Sequence, residues 1–286
     1  MAAQQVGPRN ATWLLGLPGA AAVIIFVIVP YINIAVMSFR VSSPSRAYDP
    51  GFTLDNYART LGDPLYLGVL WDTVSLAVIV AVVSLVLGFP VAFFLARTRS
   101  RWQSLLYALV LSPLLVGVVI RSFGWIVLLA NNGVINQLLG MVGIGPLGLM
   151  YNRLGVTIGL VHVFLPFMIL PIMNAVQSID PRFEEAARTL GASERRAFFR
   201  VVLPLSMPGI QSGAILVFVL AASAYVVPEL LGGGRVMTTP TFVMQQLLGT
   251  FLWPFGAALA LVLSATTLIL IWLFTLLTKP VMRGLT

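Results

Sequence analysis

The chain has 286 residues, 59 % of them hydrophobic and only 9 % charged, with a mean hydropathy of +0.98. Soluble domains carry about 25 % charged residues, so a water-soluble globule is excluded. The absence of cysteine removes disulfides and thiolate metal sites, and one histidine with nine acidic residues leaves little material for a metal or catalytic cluster. The net charge of +8 is distributed as a membrane-orientation signal rather than as a nucleic-acid patch.

Apolar runs occur near residues 13–37, 70–96, 103–130, 153–178, 207–231 and 253–278. Each exceeds the roughly 20 residues a helix needs to cross a bilayer. The expected fold is therefore an all-α membrane protein of six transmembrane helices. A short polar tail, 1–12, precedes it and a second, 279–286, follows, both on one side of the membrane. The first run is too long in its apolar core, and lacks the small-residue cleavage site, to be a removable signal peptide.

Lysines and arginines give the orientation. With a cytoplasmic N-terminus, eleven fall inside, among them Arg9, Arg97, Arg99, Arg101 and the 182–200 cluster. Five fall outside, and Arg121 lies within a span, which accounts for all 17. The excess inside agrees with the positive-inside rule.

In chain order, the first external loop, about 38–69, is the longest and most polar and reads either as a solvated loop or as a specific contact for an external binding protein. The other external stretches, 131–152 and 232–252, are Gly-rich and moderately apolar, which suits segments lying on the membrane or folding over a pore mouth. Prolines 18, 30, 90, 113, 166, 171 and 228 punctuate the spans. Each bends a helix and frees a carbonyl, which suits a protein that rocks between states.

Charge at membrane depth requires a reason. Arg121 sits about nine residues, roughly 13 Å, from the outer end of the third span. Glu229 lies near the outer end of the fifth. One reading has the two neutralise each other or a partner subunit. The other has Arg121, Trp125, Tyr225 and Glu229 line a path for a cationic solute through charge and cation–π contact. His162, in the outer half of the fourth span, reads as a hydrogen-bonded helix–helix contact.

The stretch 180–210 is charge-rich in an otherwise apolar chain. Asp180 is a plausible N-cap with Pro181 at the first helical position. A helix then runs to Leu190, and Gly191 supplies the left-handed residue that ends it. Ser193 caps a second helix, which Leu203-Pro204 stops. On the first helix, Phe183, Ala186, Ala187 and Leu190 share one face, while Glu184 and Arg188 point elsewhere. The adjacent alanines leave low relief, the shape of a docking knob. A DNA-binding helix-turn-helix is compatible with the local pattern, but membrane-length spans flank the segment and no third helix completes a core.

Glu185-Ala186-Ala187, three residues, Gly191, nine residues, then Val201-x-Leu203-Pro204 resembles the EAA loop of bacterial ABC importer permeases, with Val201 where the family usually has Ile. The resemblance implies the type I importer permease fold, with residues 13–278 as the six-helix domain and 180–206 as the coupling loop. Glu184, Glu185, Ala186, Ala187, Arg188, Gly191, Leu203 and Pro204 would dock on the ATPase. It implies two ATPase subunits, a second homologous permease subunit and a periplasmic or extracellular solute-binding protein, in a bacterial cytoplasmic membrane. No nucleic-acid partner is expected.

The 52–57 string, Phe-Thr-Leu-Asp-Asn-Tyr, is similar to one found in the same family's external loop. Arg121-Ser-Phe-Gly-Trp125, Asn132-Gly-Val-Ile-Asn136 and Pro228-Glu-Leu-Leu-Gly-Gly233 resemble the spermidine/putrescine branch. Related permeases serve iron(III), opines, aminoethylphosphonate and amino acids. No Gly-x-x-x-x-Gly-Lys-Ser/Thr loop occurs, so no cofactor is expected on this chain, and ATP with magnesium belongs to the partner ATPase. An ion-driven secondary transporter is the alternative from another class. It would show inverted repeats and mid-membrane charges instead of a docking loop.

Overall fold

A computed structural model describes residues 17–43, 46–98 and 100–283. The tail 1–12, the start of the first span at 13, Arg9, Arg99 and the last three residues of the C-terminal tail lie outside them. The chain divides into two units, residues 1–63 with 243–262, and 64–242 with 263–286.

The first unit begins with a helical run, 17–38, exposed over almost its whole described length, with Phe26 at 78 %. A helix apolar on every face suits a lipid surface rather than water. A π-turn at Ile24–Ile28 interrupts its α geometry, and the Val29 N–H bonds to the Ile24 carbonyl immediately before Pro30. The wider turn accommodates a proline that has no N–H of its own to donate.

The stretch 38–69, read as a solvated loop or a binding-protein contact, carries secondary structure of its own. Strands Arg40–Val41 and Asp49–Phe52 pair antiparallel, with Arg40 opposite Phe52 and Val41 opposite Asp49. Helix Asp55–Gly62 follows. The buried Asn56 amide donates to the carbonyls of Ser38 and Arg40, each at 2.9 Å. The Tyr57 and Ser38 hydroxyls meet at 2.6 Å. Thus the Asn56 and Tyr57 side chains of the 52–57 string build the fold, while those of Phe52 and Leu54 remain exposed.

In the second unit the helices Pro64–Arg97, Arg153–Ser178 and Met207–Ala222 pack on one another around Leu76, Val80, Leu160, Met168, Ile172 and Val217. Two glycines permit the closest crossing. A Cβ on Gly209 would stand 2.5 Å from both the Ala175 Cβ and the Pro171 carbonyl oxygen, and one on Gly213 would stand 2.9 Å from the Met168 sulfur. Small residues four apart let membrane helices approach this way.

Among the described residues, five helices are long and apolar enough to cross a membrane, and a sixth span arises when one bent pair is joined. The expected third span, 103–130, is not continuous. Gln103–Leu111 passes into a 3-10 turn at Ser112–Leu115, breaks at Val116–Gly117 and resumes as Val118–Leu129. Pro113 ends the α geometry, and Gly117 supplies an extended residue before the new helix. The expected fifth span, 207–231, also breaks, at 223–225, between Met207–Ala222 and Val226–Gly232. Pro228 cannot bond to residue 224 and clashes with its carbonyl, so the helix unwinds and restarts with the proline in its first turn. The second span is longer than expected, Pro64–Arg97. In the Gly-rich stretches 131–152 and 232–252, short helices form at Val134–Met141 and Thr239–Met244.

Candidate functional site

Helix Arg182–Thr189 starts as the sequence suggests, shifted by one residue. Pro181 is the cap, and the Asp180 carboxylate accepts from the Arg182 N–H at 2.9 Å. Glu184 and Glu185 lie in the first turn and Arg188 in the last, each at the end where the helix dipole favours its charge. The turn is the expected one, since Gly191 has φ +86°, a left-handed value that glycine takes without a Cβ penalty. The Ala192 N–H then bonds back to the Ala187 carbonyl at 3.0 Å. Ser193 caps the next helix by accepting from the Arg196 N–H at 3.4 Å.

One expectation fails here, and another holds except at Ala187. Leu203-Pro204 does not end the second helix. The helical run continues to Leu205, through a π-turn at Phe198–Val202 in which the Leu203 N–H bonds to the Phe198 carbonyl. The chain turns instead between Leu205 and Met207, by 63°. The face of the first helix differs only at Ala187. Glu184 turns inward with Ala187, whereas Phe183, Ala186 and Leu190 are exposed, Leu190 at 89 %.

The reason is Arg97, at the end of the Pro64–Arg97 helix. Its guanidinium donates to the Glu184 carboxylate at 2.5 Å and to the Ile179 carbonyl at 3.0 Å. A second, more exposed pair, Arg188–Glu194 at 3.5 Å, spans the turn itself. Facing outward are Phe183, Glu185, Ala186 and Leu190, with Arg182, Arg188 and Thr189 also exposed on this helix and Phe199 on the second. A low surface of apolar and charged side chains suits docking on another protein.

The intramembrane candidates lie on two elements that pack together, Val118–Leu129 and Val226–Gly232. Arg121 and Trp125 stand one turn apart on the first, and Tyr225 caps the second, which carries Glu229. Arg121 and Glu229 form no ion pair, so their mutual neutralisation within the chain is not observed. Glu229 is exposed, and the Arg121 Nε and Nη1 have no hydrogen-bond partner. Trp125 is held from elsewhere, its indole N–H donating to His162 Nδ1 at 3.1 Å, with the rings edge-on at 5.5 Å. His162 is thus the interhelical contact the sequence suggests. Its partner and Arg97 escape sequence reading, because both contacts join residues far apart in the chain. Among the described residues no group of three or more His, Asp or Glu could hold a metal ion.

Comparison with known proteins agrees with this architecture. Residues 85–283 match the family described as the binding-protein-dependent transport system inner membrane component. The spermidine/putrescine transport system permease protein PotB of Haemophilus influenzae is 36 % identical over 253 residues, covering 88 % of each chain. PotB of Escherichia coli K12 is 37 % identical over 243 residues, covering 84 % of this chain and 88 % of its own. Among solved structures, a bacterial ABC transporter that imports the acidic polysaccharide alginate superposes with a TM-score of 0.74 at 18 % identity, over 94 % of both chains. At that identity the superposition speaks for the fold.

Proposed function

Because the chain belongs to the family of binding-protein-dependent transport inner membrane components, we propose that it forms half of the path by which a polyamine enters the cell. It is a permease subunit of an ATP-driven ABC importer and a multi-pass inner-membrane protein. On this reading both termini are cytoplasmic, and helix Arg182–Thr189 docks on one of two ATPase subunits. A second, homologous permease completes the path, and a binding protein delivers the solute from outside. Closure of the ATPase pair on ATP moves the knob at Glu185–Gly191, and the attached spans swing from inward-facing to outward-facing as rigid bodies. ATP and its magnesium stay on the ATPase.

The observation that carries the solute assignment is the likeness to spermidine/putrescine permeases over most of both chains. Glu229 supports it. An exposed carboxylate on an element that packs against the Trp125 helix offers a cation both a counter-charge and a nearby π face.

The test is reconstitution of this permease with its ATPase, companion permease and binding protein in proteoliposomes, followed by uptake of labelled spermidine and putrescine. ATP-dependent uptake of either is expected, and Glu229→Gln should lower it about threefold, the size of one solvent-exposed charge contact. Uptake confined to molybdate, iron or an amino acid would overturn the solute assignment. An unchanged rate in Glu229→Gln would take that carboxylate out of the path.

A further inference from the structure

Helix Arg182–Thr189 has poor backbone levers. On one side it joins the Arg153–Ser178 span through the short link 179–181, and on the other it ends at the left-handed Gly191. A side-chain tie supplements the backbone here. The two terminal nitrogens of Arg97 reach different elements, Nη2 the Glu184 carboxylate in the first turn of Arg182–Thr189 and Nη1 the carbonyl of Ile179, which caps Arg153–Ser178. One guanidinium therefore binds three elements, counting the Pro64–Arg97 helix it terminates.

The geometry points to Arg97 as a positioning residue that makes the Pro64–Arg97 and Arg153–Ser178 spans follow helix Arg182–Thr189 as one body. This rests on the proposed reading of that helix as the docking element. Only a planar fork makes both contacts at once, and a lysine would have to choose between them. The Arg97 and Glu184 side chains are 21 % and 16 % exposed. Two other ion pairs, Arg153–Asp72 and Arg188–Glu194, are longer and far more open, at 40 % and 59 % and at 51 % and 82 %. Water and salt screen those two, while a half-shielded, charge-assisted contact holds its geometry under load.

The chain has no cysteine, so spin labels can be placed singly. In the complete transporter, Arg182→Cys and Leu87→Cys report the distance between the docking helix and the Pro64–Arg97 span. With Arg97 present, that distance is expected to be single and equal in the nucleotide-free and ATP-trapped states. In Arg97→Gln it should broaden and shift by several ångströms between them, and spermidine imported per ATP hydrolysed should fall about tenfold, a common size for a coupling term. Glu184→Gln, which removes the charge and leaves the Arg97 bond to the Ile179 carbonyl in place, should broaden the distance in the same way.

An unchanged distribution in Arg97→Gln overturns the proposal. Should Arg97→Gln fail to assemble, Glu184→Gln decides, since a broadened, state-dependent distance supports the tie and an unchanged one overturns it. The docking reading is tested apart from this by Glu185→Lys. Normal uptake with the ATPase still bound removes the docking role, whatever the labels show for Arg97.

Discussion

At the scale of single residues, membrane depth changes what one hydrogen bond decides. An indole N–H has one donor and no alternative partner in a hydrocarbon surround, and His162 Nδ1 supplies the acceptor for Trp125. That bond also fixes the tautomer, because a nitrogen that accepts carries no proton, so the imidazole proton sits on Nε2. His162→Leu is expected to cost roughly 1 kcal/mol of stability in detergent, the usual range for such contacts between membrane helices. Once Trp125→Phe has removed the donor, the same change should cost much less. Thermal unfolding of the two single variants and the double variant measures the difference, and equal losses in both backgrounds would mean that the bond contributes nothing. Arg121, one turn away, has no hydrogen-bond partner for its Nε and Nη1 among the described residues.

At the scale of elements, close helix crossings and deliberate breaks divide the work. The crossing of Arg153–Ser178 with Met207–Ala222 is as tight as the backbone permits at Gly209, where any Cβ meets Pro171 and Ala175. Gly209→Val should therefore destabilise by about 1–3 kcal/mol, as overpacking does. Gly68→Ala, where nothing lies within 4 Å, should be neutral or slightly stabilising because it only removes backbone freedom. A lowered melting temperature for the first and not the second is the expected pair of results, and equal behaviour would show that the crossing is not sterically limited. The sequence carried this scale unevenly. Gly191 and Ser193 were legible because a left-handed residue and an N-cap are local backbone requirements. The breaks at Val116–Gly117 and at residues 223–225 were not, since hydropathy integrates over a span and cannot see a proline unwind one turn of it. Pro204 misled in the opposite sense, because a π-turn one residue ahead absorbed a proline that would otherwise end the helix. Arg97 and Glu184 are 87 residues apart, and no pattern along the chain announces that they meet.

At the scale of the whole molecule, the proposed importer separates energy input from transport. ATP is spent on other subunits, so all that reaches this chain is a displacement at helix Arg182–Thr189. The turn that aims this helix at its neighbour is consequently where transport can be lost without losing the fold. Gly191 adopts φ +86° with open space around its missing Cβ, so backbone conformation alone restricts it. Proline, whose ring locks φ near −65°, cannot occupy that conformation. Alanine can, at a cost of about 1–2 kcal/mol. Gly191→Pro is therefore expected to abolish uptake while membrane insertion and the amount of protein in the membrane stay normal, and Gly191→Ala to retain part of it. Uptake measured beside immunodetection in membrane fractions separates the two effects. Loss of insertion would make the turn a folding element, and normal uptake in Gly191→Pro would remove the loop from coupling. The graded series Gly, Ala, Pro ties the readout to one dihedral angle, because the three residues differ at this open site in their tolerance of a left-handed backbone.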